Sequence, residues 1–259
     1  MPFAEFGDVR LHYRWDGPEN APVVMLSNSL GTTFSMWDAQ VAAWSGRFRI
    51  LRYDTRGHGQ SSVTPGPYSI QQLGCDVVGL MDALGLGRVH FCGLSMGGQT
   101  GMWLGGNAPE RLNKLVLCNT GAKIGTHESW NARIEWVRKS GMMNVAPAVI
   151  ERWFTERFRA KEPAKVTAVQ QQLENTNLEA YVANCEAVRD FDYLDRVDKI
   201  AVPTLVISGA EDPATPPADG RFIAEHVAGA RFVELNAAHL SNIEDEARFT
   251  KEVGDFLAA

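Results

Sequence analysis

Ser95 stands between two glycines at a point where a run of apolar residues ends. The segment VHFCGLSMGGQTG covers residues 89 to 101 and contains Gly93, Ser95 and Gly97 in the pattern Gly-x-Ser-x-Gly. A strand that ends in this pattern and runs into a helix predicts a tight turn that presents the serine hydroxyl above a sheet. The alternative is a glycine-rich helix start that packs closely on a strand. We expect Ser95 to be a nucleophile with a strained backbone.

A serine hydroxyl needs a base to remove its proton, and the base needs a carboxylate to orient it. In the strand-turn-helix architecture, the acid and the histidine follow the serine in that order, at the ends of later strands. Asp212 follows the apolar run PTLVISG (203–209), and His239 follows RFVELNA (231–237). The sequence therefore predicts a triad of Ser95, Asp212 and His239.

Other carboxylates and histidines fit these roles less well. Glu211 adjoins Asp212, but a neighbouring loop position would aim its side chain differently. His226 is expected in mid-helix and His90 inside a strand. His58, in YDTRGHGQSS, follows a strand but precedes Ser95, so its order is wrong for the base. A charged run with helical spacing is interpreted as a solvated surface: Asp190, Asp192, Asp195 and Asp198.

The tetrahedral intermediate of acyl transfer needs two backbone N–H donors for its oxyanion. We expect one donor to be the N–H of Met96, at the start of the helix after Ser95, where the helix dipole also favours negative charge. The second donor is expected from the loop after VVMLSN, within the segment NSLGTT.

Short apolar runs alternate with amphipathic stretches along the chain, which predicts an α/β fold with a mostly parallel sheet flanked by helices. Residues 3–17 are expected to form an antiparallel hairpin that turns at Gly7 and Asp8. Helices are expected at 69–86 and 220–230. The predicted strands are 22–28, 48–54, 88–95, 112–119, 203–209 and 231–237.

The alternation stops between about residues 126 and 195, where the spacing is helical and no strand is evident. Trp130, Ile134 and Val137 fall on one helical stripe. We interpret 126–195 as an inserted helical cap, with residues 1–125 and 196–259 forming the core.

The composition excludes several classes of partner. The chain has 259 residues, 45% of them hydrophobic, and a formal net charge of −6. An acidic chain without a basic patch argues against nucleic acid or an anionic membrane as a partner, and no apolar run is long enough to span a bilayer. We expect a cytoplasmic protein. The four cysteines have neither CxxC spacing nor a histidine at ligand spacing, so we expect buried thiols and no metal site or disulfide.

Several motifs resemble those of the α/β-hydrolase superfamily over nearly the whole chain: YDTRGHGQS, GLSMGG, GAEDPATPP and AAHLSNIEDE. The resemblance implies the α/β-hydrolase fold with an inserted cap, and the N–H of Leu30 as the second oxyanion donor. Epoxide hydrolases and haloalkane dehalogenases of this fold carry aspartate where this chain has Ser95. LSNSLGTTFSMWDAQ and YDTRGHGQSS are similar to 3-oxoadipate enol-lactonases, which open an enol-lactone to 3-oxoadipate on the protocatechuate and catechol routes of aromatic catabolism.

This resemblance implies a small anionic lactone as substrate and a reaction that needs no cofactor. Alternatives remain: a broader carboxylesterase, a hydrolase that cleaves carbon–carbon bonds of ring-fission products, a ligand-binding protein with this fold, or a perhydrolase side activity. A buried substrate carboxylate requires a cation or several hydrogen-bond donors. Arg133 is the candidate, with Trp136 as a wall of the same cavity. The other basic residues of the cap are Arg138, Lys139, Arg152 and Arg157.

Overall fold

The computed structural model of the protein describes residues 2–259. Eight strands follow one another along the chain, and the short apolar runs of the sequence account for six of them. The strands are β1 Phe3–Phe6, β2 Val9–Asp16, β3 Val23–Ser27, β4 Arg49–Tyr53, β5 Val89–Leu94, β6 Leu112–Cys118, β7 Thr204–Gly209 and β8 Arg231–Leu235.

All eight strands form one sheet in the order β1-β2-β4-β3-β5-β6-β7-β8. The first two strands form an antiparallel hairpin that turns at Gly7 and Asp8, as the sequence predicts, and β2 is also antiparallel to β4. Every other pairing is parallel, including that of β3 with β5, where Leu26 lies opposite Cys92. Loops at the carboxyl ends of the parallel strands therefore meet along one edge.

Eleven α-helices lie in the described residues, and they include the two helices that the sequence predicts. The helices are α1 Asp38–Trp44, α2 Ile70–Ala83, α3 Met96–Asn107, α4 His127–Ser140, α5 Met142–Trp153, α6 Glu156–Lys161, α7 Pro163–Glu174, α8 Leu178–Arg189, α9 Pro217–His226, α10 Ser241–Glu244 and α11 Glu246–Ala258.

Burial explains why these segments become strands and helices. Every residue of β5 and β7 is buried, as expected of parallel strands covered on both faces. In α11 the buried residues include Phe249, Val253 and Phe256, whose spacing places them on one stripe against the sheet layer. Helix α2 packs against α3, and α1 packs against α11. The predicted α/β fold with a mostly parallel sheet and flanking helices is confirmed.

Between β6 and β7 the chain forms helices α4 to α8, and no strand occurs from 126 to 195 in the described structure. Helix α4 begins at the capping box of Thr126 and Ser129, which satisfies the free N–H groups of its first turn. Ile134 and Val137 are buried on one face of α4, with Trp130 partly buried beside them. Helix α4 packs against α8, and α5 packs against α7.

Two details of the sequence interpretation are wrong. His226 is the last residue of α9 and is exposed, because the backbone becomes extended at Val227. Cys75 is exposed on α2, since the buried stripe of that helix runs through Leu73, Val77 and Leu80, whereas the other three cysteines are buried as expected. None of the helices in residues 2–259 is both long enough and apolar enough to cross a membrane.

Candidate active site

Ser95 connects β5 directly to α3 and has φ 57° and ψ −113°. This conformation is costly for a residue with a side chain, on the order of 1–3 kcal/mol, so the surroundings must hold it. The Ser95 N–H donates to the Cys118 carbonyl at 2.9 Å, and the Thr120 hydroxyl donates to the Ser95 carbonyl at 2.8 Å. The turn therefore has the geometry of a nucleophile elbow.

The glycines around Ser95 are required by close approach of the backbone. A Cβ atom on Gly93 would lie 2.1 Å from the Gly97 carbonyl oxygen, and one on Gly97 would lie 2.4 Å from the Ser27 carbonyl oxygen. A Cβ on Gly98 would meet the Thr120 side chain at 2.6 Å. Each of these distances is shorter than van der Waals contact, so α3 reaches the sheet only because these positions carry no side chain.

Asp212 and His239 lie in the loops after β7 and β8, and the structure brings their side chains together. Nδ1 of His239 lies 2.8 Å from Oδ2 of Asp212. A carboxylate accepts hydrogen bonds, so Nδ1 carries the proton and Nε2 is left as the basic nitrogen. Both residues are 3% exposed.

Four further donors surround the Asp212 carboxylate. The N–H groups of Ala214 and Thr215 donate to Oδ1 at 2.8 and 3.0 Å. The Thr215 hydroxyl and the Asn119 amide donate to Oδ2 at 2.7 and 3.0 Å. Burial alone raises the pKa of Asp212, but the charge and hydrogen bond of His239, together with the hydrogen bonds from Asn119 and Thr215, hold the pKa below its ordinary value.

Asn119 and Thr215 were missed by the sequence reasoning. Asn119 directly follows β6 and has φ 43°, and its side-chain oxygen accepts the Ser241 hydroxyl at 2.5 Å. Its position in LCNTG, at the end of a strand adjacent to β5, is the signal that could have identified it. A polar side chain at the carboxyl end of the strand next to β5 lies on the same edge of the sheet as Ser95.

Ser95 and His239 line one cavity of about 350 Å³, above the carboxyl ends of the strands. No direct hydrogen bond joins their side chains in the part of the chain described. Such contacts are often long without substrate and shorten when the substrate binds. Leu30 lies on the same cavity wall, and Trp130, Arg133, Trp136, Arg152 and Trp153 lie on the wall formed by helices α4 and α5.

The predicted oxyanion donors lie at two element ends beside Ser95. Leu30 is in the loop after β3, and Met96 is the first residue of α3. Within residues 2–259, neither N–H has an acceptor among the hydrogen bonds of the backbone or side chains. Two free donors next to a serine hydroxyl, one at a helix N-terminus, are suited to bind a developing negative charge.

His58 holds the loop that carries Leu30. Its Nε2 accepts the N–H of Gly31 at 2.8 Å, and its Nδ1 lies 3.3 Å from the Arg56 carbonyl oxygen. Burial lowers the pKa of His58 to about 4, so the ring is neutral at pH 7. Because both nitrogens are engaged with the backbone and the residue is 2% exposed, His58 is unsuited to be the base.

The alternative acids are directed elsewhere. The Glu211 side chain is about half exposed and accepts a hydrogen bond from Arg157 at 2.5 Å. All four aspartates of the charged run are exposed, which fits a solvated surface: Asp190, Asp192, Asp195 and Asp198. His90 is buried in β5, outside the cavity lining.

Arg133 and Trp136 both project from α4 to the cavity. Arg133 donates from Nε and Nη2 to the Tyr181 hydroxyl at 3.0 and 2.5 Å, and its guanidinium lies 5.6 Å from the centre of the Trp130 ring. Trp136 remains 41% exposed. Among the other basic residues of the segment, Arg152 also lines the cavity, where it donates to the Pro213 carbonyl at 3.2 Å.

Trp153 was also missed by the sequence reasoning. It is the last residue of α5, and its ring stacks on His239 with centroids 6.4 Å apart and an interplanar angle of 27°. Contact between residues 86 positions apart depends on how the helices pack over the sheet, so no local pattern marks it.

Metal-ligand clusters are not a feature of this site. Over the described chain, no group of three or more histidine, cysteine or acidic side chains is arranged to hold a metal ion. The groups that the cavity offers for chemistry are a hydroxyl, an imidazole, backbone N–H groups and guanidinium ions.

The fold and the site together define the class of protein. The sequence model of the alpha/beta hydrolase fold family matches residues 22–185, and the chain belongs to this family. Two relatives from Acinetobacter baylyi are similar over most of their length. 3-Oxoadipate enol-lactonase 2 is 42% identical over 95% of this chain and 92% of its own. 3-Oxoadipate enol-lactonase 1 is 40% identical over 93% and 91%.

A solved structure is similar over the whole length. The crystal structure of the enol-lactonase from Burkholderia xenovorans LB400 is 50% identical, covers 100% of both chains and superposes with a TM-score of 0.98. The predicted membership of the α/β-hydrolase superfamily and the resemblance to enol-lactonases are thus confirmed.

Proposed function

We propose that this protein is a serine hydrolase that opens 3-oxoadipate enol-lactone to 3-oxoadipate, a step in the breakdown of protocatechuate and catechol. One observation carries the proposal: Ser95, His239 and the Arg133 guanidinium line the same cavity. A nucleophile, a base and a cation in one cavity suit an ester that bears a carboxylate. The names of the similar enol-lactonases support the same substrate.

In the proposed first step, the Ser95 hydroxyl attacks the lactone carbonyl while Nε2 of His239 accepts its proton. Asp212 keeps the proton of the ring on Nδ1 through the 2.8 Å hydrogen bond. The carbonyl oxygen becomes an oxyanion, which accepts hydrogen bonds from the N–H groups of Leu30 and Met96. These two donors have no other acceptor among the described residues, which supports this role.

Collapse of the tetrahedral intermediate breaks the ring ester bond and releases an enolate that stays attached to the acyl group. The enolate takes a proton from His239 and tautomerises to the 3-oxo form. An enol is a better leaving group than an alkoxide, so proton donation by His239 contributes less than in ordinary ester cleavage. Water, activated by His239, then cleaves the acyl-enzyme and frees Ser95. The chain itself supplies every group for this chemistry, without a metal or organic cofactor.

The substrate carboxylate is proposed to bind Arg133. A buried carboxylate without a partner costs several kcal/mol, and an acidic protein must provide a local cation. Nε and Nη2 of Arg133 are oriented by the Tyr181 hydroxyl, which holds the guanidinium at the cavity and leaves Nη1 without a partner among the described residues. Trp136 is proposed to cover the lactone ring from the same helix.

The chain is proposed to divide into a core of residues 1–125 and 196–259 and a helical cap of residues 126–195. The triad and oxyanion residues belong to the core, and Arg133 and Trp136 belong to the cap. The succession of helices α4 to α8 between β6 and β7, all without a strand, supports this division. Chemistry and substrate choice are then assigned to different parts of the chain.

A direct assay tests the proposal. The purified protein is assayed in parallel on the enol-lactone, on p-nitrophenyl acetate and on a ring-fission product that is hydrolysed at a carbon–carbon bond. Ser95→Ala is the control. We expect kcat/KM for the lactone to exceed that for the neutral ester by about 100-fold or more, and both to be lost in the control. Equal values for the two esters would instead indicate a broader carboxylesterase. Tight binding of the lactone without turnover would indicate a ligand-binding protein.

A further inference from the structure

Glu244 is a buried carboxylate outside the cavity. It is the last residue of α10, and its side chain is 3% exposed. Oε2 accepts the N–H groups of Thr155 and Ala238, each at 3.1 Å, and Oε1 accepts the Thr155 hydroxyl. Nη2 of Arg157 lies 3.9 Å from Oε1. A single carboxylate therefore joins a residue of the helical segment to the neighbour of His239.

The partners of Glu244 belong to two segments that meet beside the cavity, and we name residues 153–155 and 238–240 together the cap joint. Two further contacts hold the cap joint. The Leu240 N–H donates to the Trp153 carbonyl at 3.1 Å, and the Trp153 ring stacks on His239. The position of the His239 ring thus depends on both segments.

We propose that Glu244 is a positioning residue that fixes the cap joint, and through it the approach of His239 to Ser95. The argument is geometric. Ala238 immediately precedes His239, and Thr155 lies two residues after Trp153, so Glu244 binds the backbone close to each of the two stacked residues. A displacement of about 1 Å at a catalytic group can lower the rate by as much as about 100-fold.

Hydrogen bonding, rather than charge, is the property of Glu244 that matters in this proposal. A glutamine side chain can reproduce the geometry, because its oxygen can accept both N–H groups while its NH₂ donates to the Thr155 hydroxyl oxygen. Alanine offers no acceptor and leaves two buried N–H groups without a partner. The pair Glu244→Gln and Glu244→Ala therefore separates the two properties.

The experiment measures kcat and KM of both variants on p-nitrophenyl acetate. The inference rests on the proposed triad but not on the lactone, so this neutral ester tests it even if the lactone is not the substrate. Ser95→Ala is assayed alongside, and full activity of that variant would refute the triad itself. We expect Glu244→Ala to lower kcat by about 10- to 100-fold with KM changed less than threefold, and Glu244→Gln to retain at least a third of kcat.

Glu211→Gln is the matched control, because Glu211 also pairs with Arg157 but makes no contact with the cap joint through its side chain. We expect its kcat to be unchanged. If Glu244→Ala does not fold, Thr155→Val tests the same joint, with an expected three- to tenfold loss of kcat. Unchanged kcat in a folded Glu244→Ala, or in Thr155→Val where that substitute is needed, would overturn the proposal. An equal loss in Glu244→Gln and Glu244→Ala would also do so, because charge would then be the cause.

Discussion

The two walls of the cavity are held in different ways. The core wall consists of loop and turn residues fixed by hydrogen bonds. Its Ser95 and His239 are at most 9% exposed, as is Asp212, which accepts a hydrogen bond from His239. The cap wall consists of side chains projecting from helices, and their exposure differs widely: Trp136 is 41% exposed and Trp153 is 5% exposed. The core wall includes Ser29, Leu30, Ser95, Ala214 and His239, and the cap wall includes Trp130, Arg133, Trp136, Arg152 and Trp153.

Under the proposed function, this difference assigns catalysis and substrate choice to different walls of the cavity. Groups that stabilise a transition state must be oriented before the substrate binds, and the backbone bonds of the core wall provide that order. Side chains on the helices can be substituted without disturbing the sheet. Substitutions in the cap wall can therefore alter which substrate binds while the catalytic groups stay the same. Variants of the core wall should lower kcat for every ester, whereas variants of Arg133 and Trp136 in the cap wall should change KM for particular substrates; Trp153, which contacts His239, belongs with the first group.

The largest effect is expected from the triad. Ser95→Ala, Asp212→Asn and His239→Ala should each lower kcat by about 1,000-fold or more on lactone and neutral ester alike, while the protein stays folded. The double variants should lose little more, because the three residues act as one unit. Steady-state kinetics with circular dichroism as a folding check measure this. A near-normal rate for His239→Ala would assign the base to another residue.

The loop that carries Leu30 should give the next largest effect. His58→Ala removes the acceptor of the Gly31 N–H, and we expect a 10- to 100-fold loss of kcat on both substrates with little change in KM, since a loosened oxyanion donor acts on the transition state. His58→Gln retains an acceptor and should lose less.

His90→Ala is the matched control for His58, because it also removes a buried imidazole but lies in β5 outside the cavity lining. We expect its kcat to change less than threefold. A loss of kcat above 1,000-fold in His58→Ala would mean that His58 is the base. An equal loss of kcat in both histidine variants would mean that the cause is general destabilisation of the fold.

The core wall was more accessible to sequence reasoning than the cap wall. Ser95 lies in a local motif, and Asp212 and His239 follow apolar strands in a fixed order, so their places at strand ends could be predicted. The structure brings Asp212 and His239 into hydrogen-bond contact; the catalytic roles stay a prediction. The α/β fold could be predicted because hydrophobic periodicity is local.

The residues that sequence reasoning missed act over long distances in the chain. Asn119 reaches Asp212 across 93 positions, and Trp153 reaches His239 across 86. These contacts depend on the register of neighbouring strands and on how helices pack over the sheet, which no short pattern specifies. His58 was considered only as a base, because the bond from Gly31 that defines its place is a tertiary contact.

A smaller and selective effect is expected on the cap wall. Arg133→Ala should raise KM for the anionic lactone by about 10-fold or more, as a lost charge-assisted contact of ~1.5–3 kcal/mol implies, and leave p-nitrophenyl acetate unaffected. The measurement is the ratio of KM values for the two substrates in each variant.

Two arginines of the same segment serve as comparisons for Arg133. Arg138→Ala lies on the same helix but lines a different groove, so neither KM should change. Arg152→Ala tests the other guanidinium of the cavity. If KM for the lactone alone rises in Arg152→Ala but not in Arg133→Ala, the carboxylate site is at Arg152. Equal losses on both substrates in Arg133→Ala would mean that its bond to Tyr181 supports the helices rather than the substrate.

The smallest effect is expected on the free energy of unfolding, through a carboxyl group near Asp212. Asp219, in the first turn of α9, is partly buried, and burial followed by the charge of Asp212 raises its pKa to about 6. A carboxyl whose pKa is raised by folding stabilises the fold below the unfolded value near 4, and that stability is lost as the pH rises to about 6.

Asp219→Asn should therefore be more stable than the unchanged protein at pH 8 and similar to it at pH 4, with the gain growing between about pH 4 and pH 6. A full shift of two pKa units corresponds to about 3 kcal/mol, and solvent screening of this partly exposed group reduces the expected gain to about 1 kcal/mol. Thermal unfolding should show Tm higher by about 2–4 °C at pH 8. The exposed Asp198→Asn is the control and should leave Tm unchanged at both pH values. An equal gain in the stability of Asp219→Asn at pH 4 and pH 8 would contradict the prediction. It would mean that ionisation of Asp219 beside Asp212 does not destabilise the folded protein.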